Sequence, residues 1–398
     1  MRRAQDDGRE TAAEAGGWPR DCIVAASAAP TAAEAVAELA ETLVGTADLG
    51  FLLVFASPSY DPHELVVALG ERFPGLPRAG CTTAGEIAPS GITEHSVVAL
   101  AFRRARFEVA CVALEGLSRF DMEAGADLVA GLRRRLAAGR GDDRSGVFAV
   151  TLLDGLCRRE ERIVSALHRA LDDIPLVGGS SGDDLAFRDT FVFCDDRLLA
   201  DAGVLLLVRT DLPFRVFKTD HFVPTATRLV VTACDPEARV VHELDAEPAN
   251  RAFAAATGLP EGELDRLDFA AHPLVVRVGG EYYCRSVQKM NPDGSFSFYC
   301  AIDTGVVLTL ASTRDMSESL DAAFHRLDED LGGLDFVVGF DCVHRRVEAE
   351  HSQTLAKIAE VMRRWHVVGF NTYGEQFGAM HLNNTFTGIA FGRPRSEP

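Results

Sequence analysis

Apolar positions along residues 22–213 gather into short continuous runs, and between them polar and apolar residues alternate at helical spacing. Short runs bounded by turn residues predict buried strands, whereas the helical period predicts amphipathic helices. The result is a helix over Thr31–Leu43, a strand over Phe51–Ala56 and a helix over Asp61–Phe73 with Pro62 in its first turn. Strands follow at Arg78–Ile87, Ser96–Phe102 and Phe107–Leu114, the last two forming an antiparallel hairpin, and then a long helix at Met122–Ala138. The pattern recurs with a strand at Val147–Asp154, a helix at Arg159–Asp172 and strands at Ile174–Asp184, Phe191–Cys194 and Gly203–Val208. It returns far along the chain as a helix at Met316–Glu329, a strand at Phe336–Cys342 and a helix at His351–Trp365. Strands at His366–Gly374 and Thr385–Phe391 close it.

Three junctions share a text: Gly80-Cys-Thr-Thr-Ala-Gly85-Glu86, Gly178-Gly-Ser-Ser-Gly182-Asp183 and Gly369-Phe-Asn-Thr-Tyr-Gly374-Glu375. Their first glycines follow strand starts at 51, 147 and 336 by 29, 31 and 33 residues. So loose a period excludes a solenoid and predicts three copies of an α-β-α-β-β unit. Residues 214–312 differ, with many short alternating strands, a helix at Glu247–Thr257 and turns at Gly279-Gly280 and Asn291-Pro-Asp-Gly294. The fold class predicted is mixed α/β (α+β), two domains of mixed sheets flanked by helices. Residues 1–21 are read as a disordered tail, 22–213 as the first domain and 214–392 as the second, with the boundary marked by Pro213 and Pro224.

Composition narrows the function. A chain of 398 residues, 47% hydrophobic and 25% charged, is ordinary globular protein rather than a disordered one. Its 40 basic and 59 acidic residues give a net charge of −19, which argues against nucleic acid and anionic membranes as partners. The longest apolar stretches, Ser96–Phe102 and Ala202–Val208, are too short to span a bilayer, and residues 1–20 lack the apolar core of a signal peptide. Nine cysteines stand singly with no C-x-x-C, which points to a reducing cytoplasm and no disulfide framework.

The glycine junctions invite two readings: turns that pack against neighbours, or loops that converge on a ligand cleft. Gly178-Gly179-Ser180-Ser181-Gly182 fits the G-x-S-x-G nucleophile elbow, but a strand rather than a helix is predicted after it, so the context is wrong for a hydrolase. The doublet Arg345-Arg346, predicted at a strand end, suits a carboxylate, or else pairs with Glu348 and Glu350. No pair of histidines has zinc-finger spacing. A single axial histidine for haem leaves almost no signature, and His381, His272 and His221 are the candidates.

Together, Gly80–Glu86, Val177–Asp184, Tyr282–Val287, Asp341–Arg346, Gly369–Gln376 and His381–Thr387 make the chain resemble FIST proteins, with an N-terminal and a C-terminal FIST domain over about residues 22–392. The resemblance implies an intracellular sensory module rather than an enzyme. Chains of this length are similar to the nitric-oxide-sensing haemoproteins of bacteria, which implies haem b and a partner histidine kinase or cyclic-di-nucleotide enzyme. Residues assigned to the cofactor on that basis are Arg345, Arg346, Asn371, Tyr373, Glu375 and His381, with His381 on the iron. The alternative is a FIST sensor without haem that binds a small anionic metabolite such as an amino acid, its carboxylate gripped by Arg345 and Arg346. Both readings expect a cytoplasmic protein with no output domain of its own that acts by docking on a signalling partner; homo-oligomerisation is left open.

Overall fold

The structure is a computed structural model that describes residues 22–43, 48–140, 146–262 and 264–394; the expected N-terminal tail lies outside them. The first unit runs β1 (Cys22–Ser27), α1 (Ala32–Leu43), β2 (Leu49–Ala56), α2 (Pro62–Arg72), β3 (Arg78–Thr82), β4 (Glu86–Ala88), β5 (Gly91–Thr93) and β6 (Val97–Arg103). The second repeats that order as β7 (Phe107–Glu115), α3 (Met122–Arg140), β8 (Val147–Leu153), α4 (Glu160–Leu171), β9 (Leu176–Ser180), β10 (Val192–Cys194), β11 (Arg197–Leu199) and β12 (Ala202–Thr210).

The third begins with β13 (Phe214–Thr219) and is then interrupted by an insert. The insert comprises β14 (Phe222–Asp235), β15 (Val240–Leu244), β16 (Glu247–Pro248), α5 (Ala249–Thr257), α6 (Arg266–Ala271), β17 (Leu274–Val278), β18 (Glu281–Cys284), β19 (Val287–Met290), β20 (Phe296–Phe298) and β21 (Val307–Thr313). The unit resumes as α7 (Met316–Leu331), β22 (Leu334–Cys342), α8 (Val343–His351), α9 (Leu355–Arg364), β23 (Val367–Thr372), β24 (Glu375–Phe377), β25 (Met380–Leu382) and β26 (Phe386–Gly392).

Each unit builds four adjacent strands, in the orders β1-β6-β2-β3, β7-β12-β8-β9 and β13-β26-β22-β23. One pair in each is parallel (β2 with β3, β8 with β9, β22 with β23), because a helical crossover joins its members. The short hairpin of each unit leaves home. β4-β5 extends the third sheet beside β23, β24-β25 extends the second beside β9, and β10-β11 extends the first beside β3. This cyclic exchange makes the three units one body, and residue 213 falls between its second and third members.

The strands read as near-continuous apolar runs because both faces are covered. Outer faces carry α1 and α2, α3 and α4, or α7 and α9. Inner faces meet in a shared core containing Phe51, Phe55, Phe148, Phe336, Phe340, Phe370 and Phe391. Phe55 of the first unit lies 4.6 Å from Phe370 of the third, centroid to centroid. Phe148 of the second lies 5.8 Å from Phe391. The insert has a core of its own around Val231, Leu244, Phe253, Phe269, Phe296 and Leu308.

Three elements differ from the sequence reading. The strand expected over Arg78–Ile87 is two strands in different sheets, divided where Gly85 takes φ +121°. The helix expected over His351–Trp365 begins at Leu355; a separate helix, α8, holds Arg345 and Arg346 instead of a strand end, and Gln353 at φ +58° separates the two. Helix α6 escaped the apolar pattern because it is short; a reciprocal capping box between Asp265 and Asp268 supports it.

Candidate functional site

The loops after β3, β9 and β23 meet and bond to one another through their backbones. Ala84 N–H donates to Asn371 O (3.0 Å), and Asn371 N–H to Gly85 O (2.7 Å). Gly182 N–H donates to Thr82 O (3.0 Å), Ser180 N–H to Gly374 O (2.8 Å) and Tyr373 N–H to Ser180 O (3.1 Å). Each loop touches both others. The leading glycine is demanded by the strand beside it: a Cβ on Gly369 would sit 1.8 Å from Gly339 O of β22, and one on Gly178 2.1 Å from Thr151 O of β8.

In the first and third loops a buried glutamate locks the turn identically. Thr372 Oγ1 donates to Glu375 Oε1 (2.6 Å), while Thr385 N–H and Oγ1 donate to Oε2 (3.2 and 2.7 Å). Thr83 bonds Glu86 in the same way, and Ser96 N–H and Oγ reach its other oxygen (3.2 and 2.6 Å). Burial pushes the carboxyls up to about 8 for Glu375 and about 7 for Glu86, although the hydroxyl donors oppose it.

The second loop departs from this plan. Its acid, Asp183, accepts from the N–H groups of Phe187 (2.8 Å), Arg188 (2.6 Å) and Asp189 (3.0 Å) and from the Tyr373 hydroxyl. Residues 184–189 thereby bulge outward and carry Phe187 onto Tyr373, with rings stacked at 4.7 Å and 21°. Phe187 and Tyr373, with Tyr299 of the insert, form one wall of a cleft of about 370 Å³ between body and insert. The cleft sits beyond the carboxyl ends of β8 and β23, the usual place for a ligand beside parallel strands.

Polar groups complete the lining. Arg239 of the insert donates through Nη2 to Glu160 and Glu161 at the start of α4, each at 2.9 Å, and Ala301 N–H adds a bond to Glu161 (2.6 Å). That cluster pins the insert to the second unit. Burial would raise the Glu161 carboxyl, but His381 and Arg239 beside it hold it below its ordinary value. Arg158 and Lys289 also line the cleft, are exposed, and form no ion pair among the described residues. His381 lines it too, is 2% exposed, and its Nδ1 has no hydrogen-bond partner among the described residues.

Of the six residues expected at the site, only Tyr373 and His381 line the cleft. Arg345 is buried and not open to a ligand: its Nε donates to Asp341 (2.7 Å) and its Nη1 to His221 Nδ1 (3.1 Å). Arg346 faces a separate hollow, held by Glu94, by Glu350 at 2.8 Å and by Ala84 O at 2.9 Å. Glu375 and Asn371 are wholly buried in the loop framework, where Asn371 Nδ2 donates to Asp341 (3.3 Å). Both nitrogens of His221 are engaged, Nδ1 by Arg345 and Nε2 by Glu348 at 3.0 Å. His272 Nδ1 contacts Asp268 O (3.1 Å) beside a small apolar pocket of about 50 Å³. Ser180 is buried, its Oγ accepting from Gln376 Nε2 (2.9 Å).

The cleft residues that sequence reasoning missed include Arg158, Phe187, Arg239, Lys289 and Tyr299. A signal for one was present: Asp154 precedes Arg158-Arg159 by the same interval as Asp341 precedes Arg345-Arg346. These surroundings do not fit a haem. A macrocycle needs an apolar slot, whereas the cleft that His381 lines mixes aromatic side chains with Arg158, Glu160, Arg239, Gln288 and Lys289, and Arg345 and Arg346, assigned to the propionates, lie outside it. They fit a small polar ligand with an anionic group. No helix among the described residues is long and apolar enough to cross a membrane.

Comparison with known proteins finds two family matches that together run over most of the chain. The FIST N domain family model matches residues 50–247, and the FIST C domain model matches residues 228–378. A protein of Methanocaldococcus jannaschii described as uncharacterized is 25% identical over 284 residues, 60% of this chain and 52% of that relative. The chain thus matches about half the length of that relative.

Proposed function

The chain belongs to the FIST-domain proteins, whose domains are sensory modules of signal transduction, and from that premise we propose that the cleft between body and insert is the sensing site for a small anionic metabolite such as an amino acid. The observation that carries this reading is His381, 2% exposed with Nδ1 unpartnered among the described residues, on a cleft that also offers Arg158 and Lys289, cations without an ion pair among those residues. In this reading the two cations take the carboxylate, His381 supplies a directed hydrogen bond, and Phe187 and Tyr373 cover the ligand's apolar part. Because the lining comes from both the body and the insert, a bound ligand favours whichever mutual arrangement it contacts best. The signal then passes by docking to a partner, a histidine kinase or a cyclic-di-nucleotide enzyme.

The test is a thermal-shift screen of amino acids and small carboxylates, together with an absorption titration with haem. A carboxylate that raises the melting temperature by mass action, with the rise lost in Arg158→Ala and Lys289→Ala, supports the proposal. A Soret band that disappears in His381→Ala, with no carboxylate response, overturns it in favour of haem-based nitric oxide sensing.

A further inference from the structure

Two cysteines outside the cleft face each other. Cys111 on β7 and Cys194 at the end of β10 have sulfurs 3.5 Å apart, the one thiol–thiol contact among the described residues. Both are only half-buried, whereas Cys22, Cys81, Cys284, Cys300 and Cys342 are enclosed. The remaining two, Cys157 and Cys234, are half-buried without a thiol neighbour. Strand β10 belongs to the second unit's hairpin, which pairs with the first sheet, while β7 is the edge of the second, so the contact lies within one unit and joins two sheets.

We propose that Cys111 and Cys194 form a redox modification site, a dithiol that a peroxide closes to a disulfide. Cys194 is the attacking sulfur. Its thiol is held below its ordinary value by the hydrogen bond from Cys111, against burial and Asp195 and with lesser help from Arg197 and Arg135, and Cys111 is pushed up by the same bond and by burial. The Cys194 thiolate attacks one peroxide oxygen, the O–O bond breaks, and an alcohol or water departs with a proton, leaving a sulfenic acid on Cys194. Cys111 sulfur then attacks that sulfur. The S–S bond forms as the S–O bond breaks, and the hydroxyl leaves as water with the Cys111 proton. Peroxide is reduced by the two electrons that the thiols lose.

The disulfide staples the first sheet to the second just beyond the loop that carries Asp183 and Phe187 to the cleft. Oxidation therefore fixes the far end of the loop that shapes the cleft wall.

The experiment treats the fully reduced chain with one equivalent of hydrogen peroxide, then alkylates, digests and weighs the products. Expected are an intact mass lower by about 2 Da, a linked peptide pair containing Cys111 and Cys194, and reversal by a dithiol reductant. In Cys111→Ser, and in Cys111→Ala should the serine perturb folding, oxidation stops at a Cys194 sulfenic acid that dimedone captures. Preferential oxidation of Cys157 or Cys234 overturns the proposal. So do disulfides between chains, or Cys194 reaching the sulfinic acid in the wild-type protein with no internal disulfide.

Discussion

The third-unit loop at Gly369–Glu375 and the second-unit loop at Gly178–Asp184 begin alike and end in different work. In the third, Glu375 turns inward, takes three donors and disappears from solvent. In the second, no glutamate occupies that position; Asp183 gathers the backbone of residues 187–189 and a tyrosine from the neighbouring loop. One turn closes the framework, and the other opens it toward the cleft. A repeated motif therefore marks a shared architecture, and the copy that breaks the pattern marks where the molecule departs from architecture toward function.

The most damaging way to break the comparison is to attack what the loops share. Gly369→Ala places a methyl against Gly339 O with no side chain free to yield, so a loss on the order of 4 kcal/mol or more is expected in denaturant unfolding. Glu375→Ala comes next. It orphans two threonine hydroxyls and an N–H in a buried site and costs roughly 2–4 kcal/mol, with Glu86→Ala close behind because its network is the same. Asp183→Ala is expected to cost less stability but to weaken ligand binding, since its partners lie in the loop at the cleft. If Asp183→Ala were as destabilising as Glu375→Ala with binding intact, the division of labour would be wrong.

A gentler probe is pH. Glu86 and Glu375 hold protons more tightly when folded than their ordinary value of 4.5 in the unfolded chain. Their contribution is therefore full at pH below that value and is lost as pH rises through about 7 and about 8. Stability measured between pH 5 and pH 9 should fall, and Glu375→Gln, which keeps an amide in place of the neutral acid, should flatten the upper part of that decline. An unchanged slope in Glu375→Gln would show that the carboxyl is ionised throughout.

Much of the body was legible. The recurring Gly-Ser/Thr-Gly-acid text disclosed three related units, because each unit must bring its third strand against a neighbour too closely for a Cβ. The hairpin exchange was not legible, since β4, β10 and β24 have the same local pattern whichever sheet they join. At the cleft, Tyr373 and His381 are lining residues, and both were assigned through the family resemblance rather than from a local pattern. Arg345 and Arg346 misled, because a basic doublet looks the same whether Asp341 and Glu350 neutralise it or leave it free. The insert's share of the cleft, Arg239, Lys289 and Tyr299, depends on docking that no local pattern encodes.

The finest test separates framework from cleft within one residue. Tyr373 belongs to the third loop by its backbone, which bonds Ser180, and to the second by its hydroxyl, which donates to Asp183. Tyr373→Phe keeps the backbone bond and the stacking on Phe187 and deletes only the hydroxyl bond. A stability loss of about 1 kcal/mol is expected, the smallest of the series. Asp183 would keep its backbone donors, so the loop should hold its shape, and the affinity for a carboxylate ligand should drop by roughly threefold to tenfold as the aromatic wall loosens. A Tyr373→Phe protein that binds ligand unaltered would place the hydroxyl with the framework, and the boundary between the two functions would then fall at the Phe187 ring rather than at Tyr373.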